Sequence, residues 1–214
     1  MIKGIIFDMD GVISDTQKLH SRVESEILSR FGINLSPAEI TDSYSGVKTR
    51  EFFNDLLSLK GVKYDLDSLM FEKWNKMTEL ANQTVDPVPG IYDLLDLCKE
   101  MNFNIAVGTA STFDYASNVL KALKIFDKFD SIVSSNMVSK GKPEPDIFLL
   151  AAKNINLDPV DCIVIEDGIS GMIAANRADM KCIALVKKID FDKYPTKNQV
   201  LSLKDINRSF LLSL

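Results

Sequence analysis

Two aspartates near the start of the chain, Asp8 and Asp10, lie at the end of the apolar run 5–7. Alternate residues of a strand project to the same side, so we expect both carboxylates to point one way where the strand leaves its sheet. Neighbouring carboxylates repel each other unless a cation or a shared proton relieves the repulsion. The pair therefore predicts a hard metal ion, acid–base chemistry, or both.

A hydroxyl-bearing turn follows a second apolar run, 105–108, and contains Thr109, Ala110 and Ser111. A hydroxyl and backbone N–H groups at a strand-to-helix turn can hold a phosphate or another anion. Ser111 and Asp114 also match the capping-box pattern, so we expect Ser111 to cap the helix that follows.

A lysine and a second pair of acids complete the set of polar groups. Pro143 and Pro145 fix the path of the chain directly after Lys142, which predicts a lysine held near the sheet edge. Glu166 and Asp167 follow the apolar run 163–165. Several carboxylates, with water and a phosphate oxygen, form the octahedral oxygen shell that Mg²⁺ prefers.

The elements that must position these groups alternate along most of the chain. Apolar runs predict strands at 2–7, 104–107, 131–133, 162–165 and 182–186, a sixth strand at 200–203 and a closing helix at 206–212. Amphipathic stretches between the runs predict helices. This alternation indicates an α/β fold, an open parallel sheet with helices on both faces, in which ligands bind beyond the carboxyl ends of the strands.

The alternation is interrupted between the first and second strands, where the apolar spacing predicts only helices. We therefore expect an α/β core domain of residues 1–14 and 88–214 and an inserted all-helical domain of residues 15–87. The two connections, close together and rich in turn-forming residues on the second side, predict a hinge.

The motifs together resemble the haloacid dehalogenase-like hydrolases. Residues 8–12 resemble the first motif of that family, Thr109 stands at its second, Lys142 at its third, and Glu166 and Asp167 at its acidic fourth. The matches occur in order over residues 8–171. The resemblance implies a Rossmann-like core, and the insertion resembles the helical cap of the branch that contains sugar-phosphate phosphatases and β-phosphoglucomutase.

The resemblance also implies a role for each motif residue. Asp8 would be the nucleophile that forms an aspartyl-phosphate, and Asp10 the general acid and base. Mg²⁺ would be held by Asp8, the backbone carbonyl of Asp10 and Asp167, with Glu166 as an alternative or supporting ligand. Thr109 and Lys142 would hold the phosphoryl oxygens.

Resemblance extends to the cap, where it implies substrate contacts. Thr16 and His20 match the β-phosphoglucomutase-like spacing, and a loop containing Gly46, Lys48 and Arg50 resembles the substrate-contacting cap loop. The turn residues Ala110 and Ser111 join this predicted substrate-binding set. Two departures weaken a mutase assignment: Glu24 stands where that group carries an aromatic residue, and Arg50 falls one position late.

Composition excludes several functional classes. The chain has 214 residues, 46% hydrophobic and 26% charged, with a net charge of −5. The absence of a basic cluster argues against a nucleic-acid partner, and no apolar run is long enough for a membrane span or resembles a signal peptide. Three widely spaced cysteines predict buried free thiols. We expect a cytoplasmic monomer whose partner is a small phosphorylated metabolite.

Three functions remain open from the sequence. The first is a Mg²⁺-dependent phosphatase of a sugar or polyol phosphate. The second is a β-phosphoglucomutase, and the third is an inactive module that binds a phosphorylated ligand. Dehalogenation is less consistent with the full acidic set, because that branch needs no metal.

Overall fold

The computed structural model describes residues 2–44, 49–81 and 85–214. It divides into two units, Met1–Asp15 with Asp86–Leu214 and Thr16–Val85. The nine α-helices of the described residues are α1 Gln17–Ser29, α2 Pro37–Tyr44, α3 Thr49–Leu59, α4 Leu66–Ala81, α5 Ile91–Glu100, α6 Phe113–Ala122, α7 Asp146–Asn154, α8 Ile169–Arg177 and α9 Arg208–Leu212. The six strands there are β1 Gly4–Phe7, β2 Asn104–Gly108, β3 Ser131–Val133, β4 Cys162–Glu166, β5 Lys181–Leu185 and β6 Asn198–Val200.

The first unit is built on one parallel sheet with the strand order β3-β2-β1-β4-β5-β6. The central strand β1 is buried along its whole length and pairs with β2 on one side and β4 on the other. The order reverses at β1, which is where open α/β sheets bind their ligands. The predicted α/β class with a Rossmann-like parallel sheet is confirmed.

Helices cover the sheet because its strands are apolar on both faces. On one face, Ile6, Ala106 and Val164 pack in a buried cluster with Ile147 and Phe148 of α7. The alternate strand residues point to the other face, and α5 contacts β2 there through its own buried apolar stripe. The functional residues at the strand ends are therefore attached to a rigid layer that is packed on both sides.

The C-terminal segment differs from its prediction. The sixth strand ends at Val200, where the predicted strand was to begin, because Ser202 and Asp205 form a capping box that turns the chain into a short 3₁₀ helix. The closing helix α9 begins at Arg208, two residues later than predicted, and the Asn207 side chain caps it by accepting from the Phe210 N–H at 3.0 Å.

The regular structure in the described part of the second unit, Thr16–Val85, consists of helices α1 to α4. Helix α1 packs against α2 and α4, and α3 packs against α4. The core of this unit contains Val23 and Ile27 of α1, Phe53 of α3 and Met77 of α4. Helix α2 gave a weak signal because Ile40 is the one buried residue among its described side chains.

The cysteine prediction is confirmed, since Cys98, Cys162 and Cys182 are all free and buried. Burial raises the pKa of the Cys98 thiol to about 12. Among the described helices, none has the length and apolar character needed to cross a lipid bilayer.

Helix α8 ends in a backbone conformation that an aspartate adopts with strain. The N–H groups of Asp179 and Met180 donate to the carbonyls of Asn176 and Ala175, the paired bonds of a Schellman motif. Asp179 has a φ of 56°, the left-handed region in which glycine carries no side-chain penalty. Its exposed carboxylate also lies at the negative end of the helix dipole.

Replacing Asp179 with Gly is predicted to raise the free energy of unfolding by about 1 kcal/mol, because it removes backbone strain and an unfavourable charge. Urea denaturation measures the change. Asp179→Asn is the matched control, since it removes only the charge and should give a smaller gain. A Gly variant less stable than the parent protein would contradict the analysis.

Candidate active site

Two acidic residues meet at the centre of the sheet. Asp8 directly follows β1, and Glu166 is the last residue of β4, the neighbouring strand. The Asp8 N–H extends the strand ladder by donating to the Ile165 carbonyl at 2.9 Å. Both side chains are almost fully buried at the point where the strand order reverses.

Lys142 joins these two acids. Its ammonium group donates to Asp8 Oδ1 and, at 2.7 Å, to Glu166 Oε1. The lysine is itself buried, and its Nζ lies 4.8 Å from the ring centroid of Phe148. The ring face adds a favourable contact for the cation on a surface that the carboxylates leave uncovered.

Asp167 adds a third carboxylate to the group. One oxygen each of Asp8, Glu166 and Asp167 lie within 4.8 Å of one another, so a single small cation placed among them can contact all three. The other oxygen of Glu166 accepts from the Gly168 N–H at 2.7 Å. Glu166 is therefore oriented by Lys142 on one side and by the backbone on the other.

Two glycines make room for these carboxylates. A Cβ atom at Gly171 would overlap the carboxylate of Glu166, and a Cβ atom at Gly11 would overlap that of Asp167. Gly11 also has a φ of +90°, which lets the chain turn sharply after Asp10. The turn is closed by the Gly11 N–H, which donates to the Ser14 carbonyl at 2.8 Å.

The electrostatics of the cluster reflect an excess of negative charge. Burial, together with the charges of Glu166 and Asp10, raises the pKa of Asp8 to about 7, although Lys142 acts in the opposite direction. Burial and the charges of Glu166 and Asp8 hold the pKa of Asp167 well above its usual range. Burial alone would lower the pKa of Lys142, but the two carboxylates outweigh it and the pKa is raised. Such a cluster is stabilised by an added cation.

Asp10 is held by a different set of groups. Ser111 Oγ donates to Asp10 Oδ2 at 2.6 Å, and the Tyr115 hydroxyl lies 3.5 Å from Asp10 Oδ1. The expectation that Ser111 caps α6 is wrong. Thr112 is the N-cap residue and makes no side-chain cap bond, and the Ser111 hydroxyl donates to Asp10.

The turn after β2 places the remaining core residues. Thr109 is fully buried, and its Oγ1 accepts from the Ser111 N–H at 3.0 Å, so its own O–H proton remains available to another acceptor. Ala110 is exposed at the tip of the turn. The core thus brings Asp8, Lys142, Glu166 and Asp167 together, with Asp10 tied to the neighbouring turn.

The described substrate-binding candidates of the helical unit lie on two helices, Thr16 and His20 at α1 and Arg50 in α3. Thr16 is buried at the start of α1, and the His20 ring packs edge-on against Trp74 with centroids 5.9 Å apart. Arg50 is exposed and forms an ion pair with Asp67. Gly46 and Lys48 lie outside the described residues.

A buried ion pair in the helical unit was not predicted. Lys73 of α4, fully buried, donates to Glu24 of α1 at 2.7 Å and to Thr49 of α3 at 2.8 Å. Glu24 is the residue that departs from the mutase-like pattern, so the substitution is matched here by a lysine partner. The signal in the sequence was Lys73 itself, a charged residue between the apolar positions 69 and 77.

The chain was compared with known protein families once this geometry was established. A family model described as haloacid dehalogenase-like hydrolase matches residues 5–185. The chain belongs to this family. The residues that resemble the family's four motifs include Asp8, Lys142, Glu166 and Asp167, which meet at one edge of the sheet. Asp10 of the first motif lies in the adjacent turn and bonds to Ser111.

Several characterised members of the family are similar over most of their length. The β-phosphoglucomutase of Bacillus subtilis (strain 168) is 34% identical over 191 residues, which are 86% of this chain and 83% of that protein. The fructose-1-phosphate phosphatase YqaB of Escherichia coli (strain K12) is 31% identical over 182 residues, 84% of this chain and 94% of that protein. The solved β-phosphoglucomutase (pgmB) of Clostridium difficile has a TM-score of 0.86 and 31% identity, and the match covers 100% of this chain and 96% of that one.

Replacing Gly11 with Ala is predicted to lower the free energy of unfolding by about 2–5 kcal/mol, because backbone strain is added to the overlap with Asp167. The matched control is Gly61→Ala, since Gly61 also has a positive φ, +66°, but has open space around the position of a Cβ. Its loss should be only about 1–2 kcal/mol. Equal losses in urea denaturation would show that Gly11 makes no room for the carboxylate.

Proposed function

We propose that this protein is a Mg²⁺-dependent phosphatase that hydrolyses small phosphate monoesters, sugar or polyol phosphates, through an aspartyl-phosphate on Asp8. The observation that supports this most directly is the convergence of Asp8, Lys142, Glu166 and Asp167 at the switch point of the sheet. A carboxylate repels a phosphate dianion, so a nucleophilic carboxylate needs positive charge beside it. Lys142 supplies that charge within hydrogen-bond distance of Asp8.

In the first half-reaction, an oxygen of Asp8 attacks phosphorus in line with the leaving oxygen, and the bond from phosphorus to the alcohol oxygen breaks. Asp10 gives its proton to that departing oxygen, so the alcohol leaves neutral. Thr109 donates a hydrogen bond from its hydroxyl group to a phosphoryl oxygen, and Lys142 donates one from its ammonium group. These contacts hold the phosphoryl group while its bonds change.

In the second half-reaction, water attacks the phosphorus of the aspartyl-phosphate. Asp10, now a carboxylate, accepts a proton from that water, and the bond between phosphorus and the Asp8 oxygen breaks. Inorganic phosphate leaves and the Asp8 carboxylate is regenerated. The proton on Asp10 is restored for the next turnover, so the cycle balances.

The acidic cluster fits a hard divalent cation. Its donors are carboxylate oxygens, they lie close enough to share one ion, and their raised pKa values indicate unbalanced negative charge. Asp8, Asp167 and the backbone carbonyl of Asp10 would hold Mg²⁺, which when bound supplies charge that offsets the repulsion between Asp8 and the phosphoryl group. Both oxygens of Glu166 already accept hydrogen bonds, from Lys142 and Gly168, which supports a role for Glu166 in orienting the lysine.

A β-phosphoglucomutase is the second candidate, and the 34% identity to the Bacillus subtilis mutase favours it. A mutase that moves a phosphoryl group between two hydroxyls of a sugar phosphate passes through a bisphosphate, which calls for a second cationic site. Among the described residues, Lys73 and Lys142 are the buried cations, and Lys73 is paired with Glu24. Arg50 is paired with Asp67. The pairing of Lys73 with Glu24, the residue that departs from the mutase-like pattern, favours the phosphatase.

Replacing Asp8 with Asn is predicted to abolish release of phosphate from a panel of sugar and polyol phosphates, because the nucleophilic carboxylate is lost. The fold should persist, since the side chain keeps its shape. Colorimetric phosphate release measures the activity, and thermal denaturation checks folding. Asp158→Asn, which changes an exposed acid outside the cluster, serves as the control. A variant with an unchanged rate would reject Asp8 as the nucleophile.

Addition of Mg²⁺ is predicted to raise the midpoint of thermal unfolding, because a ligand that binds only the folded state stabilises it by mass action. Asp167→Asn should lose most of that shift, whereas Asp158→Asn should keep it. Differential scanning fluorimetry with and without Mg²⁺ measures both. A full shift in the Asp167 variant would place the cation elsewhere.

Incubation with β-glucose 1-phosphate separates the two candidate functions. A phosphatase releases inorganic phosphate and glucose, whereas a mutase forms glucose 6-phosphate. We expect inorganic phosphate to be the main product of each sugar phosphate that the protein converts. Glucose 6-phosphate as the main product would establish the mutase instead.

A further inference from the structure

Two hydroxyl groups of the core contact the carboxylate of Asp10. Ser111 Oγ lies 2.6 Å from Oδ2, and the Tyr115 hydroxyl lies 3.5 Å from Oδ1. Ser111 and Tyr115 are almost fully buried, and Asp10 is half-buried, so the hydroxyl groups approach Asp10 from the protein interior. A buried hydroxyl bonded to a charged group contributes more than a neutral hydrogen bond does.

Three hydrogen bonds hold the backbone of Ser111 in place. Its N–H donates to Thr109 Oγ1 at 3.0 Å. Its carbonyl accepts from the Ser135 N–H and from Ser135 Oγ, each at 3.1 Å. The hydroxyl that reaches Asp10 is therefore attached to a segment held by the turn after β2 and by the loop after β3.

The start of α6 also lacks the side-chain capping hydrogen bond that commonly stabilises a helix. Residues 111 and 114 form a capping-box pattern, yet the Ser111 hydroxyl is turned away from α6, and the N-cap residue Thr112 makes no side-chain cap bond. A capping bond is worth about 1 kcal/mol. The hydroxyl serves the carboxylate of Asp10 instead of the helix.

We propose that Ser111 and Tyr115 are positioning residues that hold the Asp10 carboxyl group in one orientation for proton transfer. This inference rests on the phosphate-ester chemistry proposed above. Ser111 Oγ holds Oδ2 at 2.6 Å and the Tyr115 hydroxyl lies beside Oδ1, so the two hydroxyl groups together limit rotation of the carboxyl group.

The test compares two leaving groups. A sugar phosphate such as fructose 1-phosphate releases an alkoxide that needs a proton, whereas p-nitrophenyl phosphate releases a stable phenolate that does not. Ser111→Ala should lower kcat/KM for the sugar phosphate by about 10- to 100-fold, a part of the usual general-acid contribution, and for p-nitrophenyl phosphate by less than about threefold. Tyr115→Phe should show the same selectivity with a smaller loss.

Matched controls separate positioning from folding. Ser117→Ala removes a buried hydroxyl of α6 that has no hydrogen-bond partner among the described residues. Tyr92→Phe removes a tyrosine hydroxyl that donates to the Leu123 carbonyl. Both should leave the ratio of the two kcat/KM values unchanged. Ser111→Thr keeps a hydroxyl at the same position and should restore that ratio.

Equal losses for both leaving groups in Ser111→Ala, or no loss for either, would overturn the inference. A crystal structure of Ser111→Ala gives a second readout that does not need turnover. We expect the Asp10 carboxyl group to occupy more than one rotamer there, and an unchanged single position would overturn the inference as well. If the unsubstituted protein hydrolyses no phosphate ester, the proposed function fails, and the rotamer measurement still decides whether Ser111 positions Asp10.

Discussion

The structure of the functional edge depends on the balance of charge among buried groups at the ends of β1 and β4. Asp8, Glu166 and Asp167 converge there, and Lys142 is the cation that bonds to two of them. Removing ionised groups from water carries a penalty of several kcal/mol for each, so a buried carboxylate persists only with partners. One lysine cannot balance three carboxylates, and burial together with the neighbouring carboxylates raises the pKa values of Asp8 and Asp167. A divalent cation among these oxygens would offset the same surplus of negative charge.

The strand order of the parallel sheet brings these residues together. The parallel order places the carboxyl end of β1 beside that of β4, and the loop from β3 to α7 reaches the same edge with Lys142. Small residues complete the arrangement, because Gly11 and Gly171 leave the space that two carboxylates occupy. Phe148 connects the chemistry to the core, since its ring packs in the apolar cluster under the sheet and contacts the ammonium group of Lys142. The packing of the core and the geometry of the candidate site therefore share a residue, Phe148.

The sequence predicted the parts of this arrangement that follow from chain-wide pattern. Continuous apolar runs identified the strands, and the acids directly after two of these runs identified Asp8 and Glu166. The prolines that follow Lys142 predicted that this lysine lies near the same edge. Prediction failed where a local pattern competed with a tertiary contact. Ser111 fits a capping box, but its hydroxyl donates instead to the half-buried carboxylate of Asp10, which is distant in sequence. The pairing of Lys73 with Glu24 was equally hidden, because amphipathic spacing marks which face of a helix is buried and does not mark which charges meet inside it. The roles assigned to the site residues stay predictions until they are measured.

The claim that one divalent cation balances this cluster can be tested directly with Mn²⁺, which binds in Mg²⁺ sites and scatters anomalously. Crystals soaked in Mn²⁺ should give a single strong anomalous peak within bonding distance of oxygens of Asp8 and Asp167, with Lys142 still bonded to Asp8. A peak bound to other residues, or none at this edge at a concentration that supports turnover, would contradict the account.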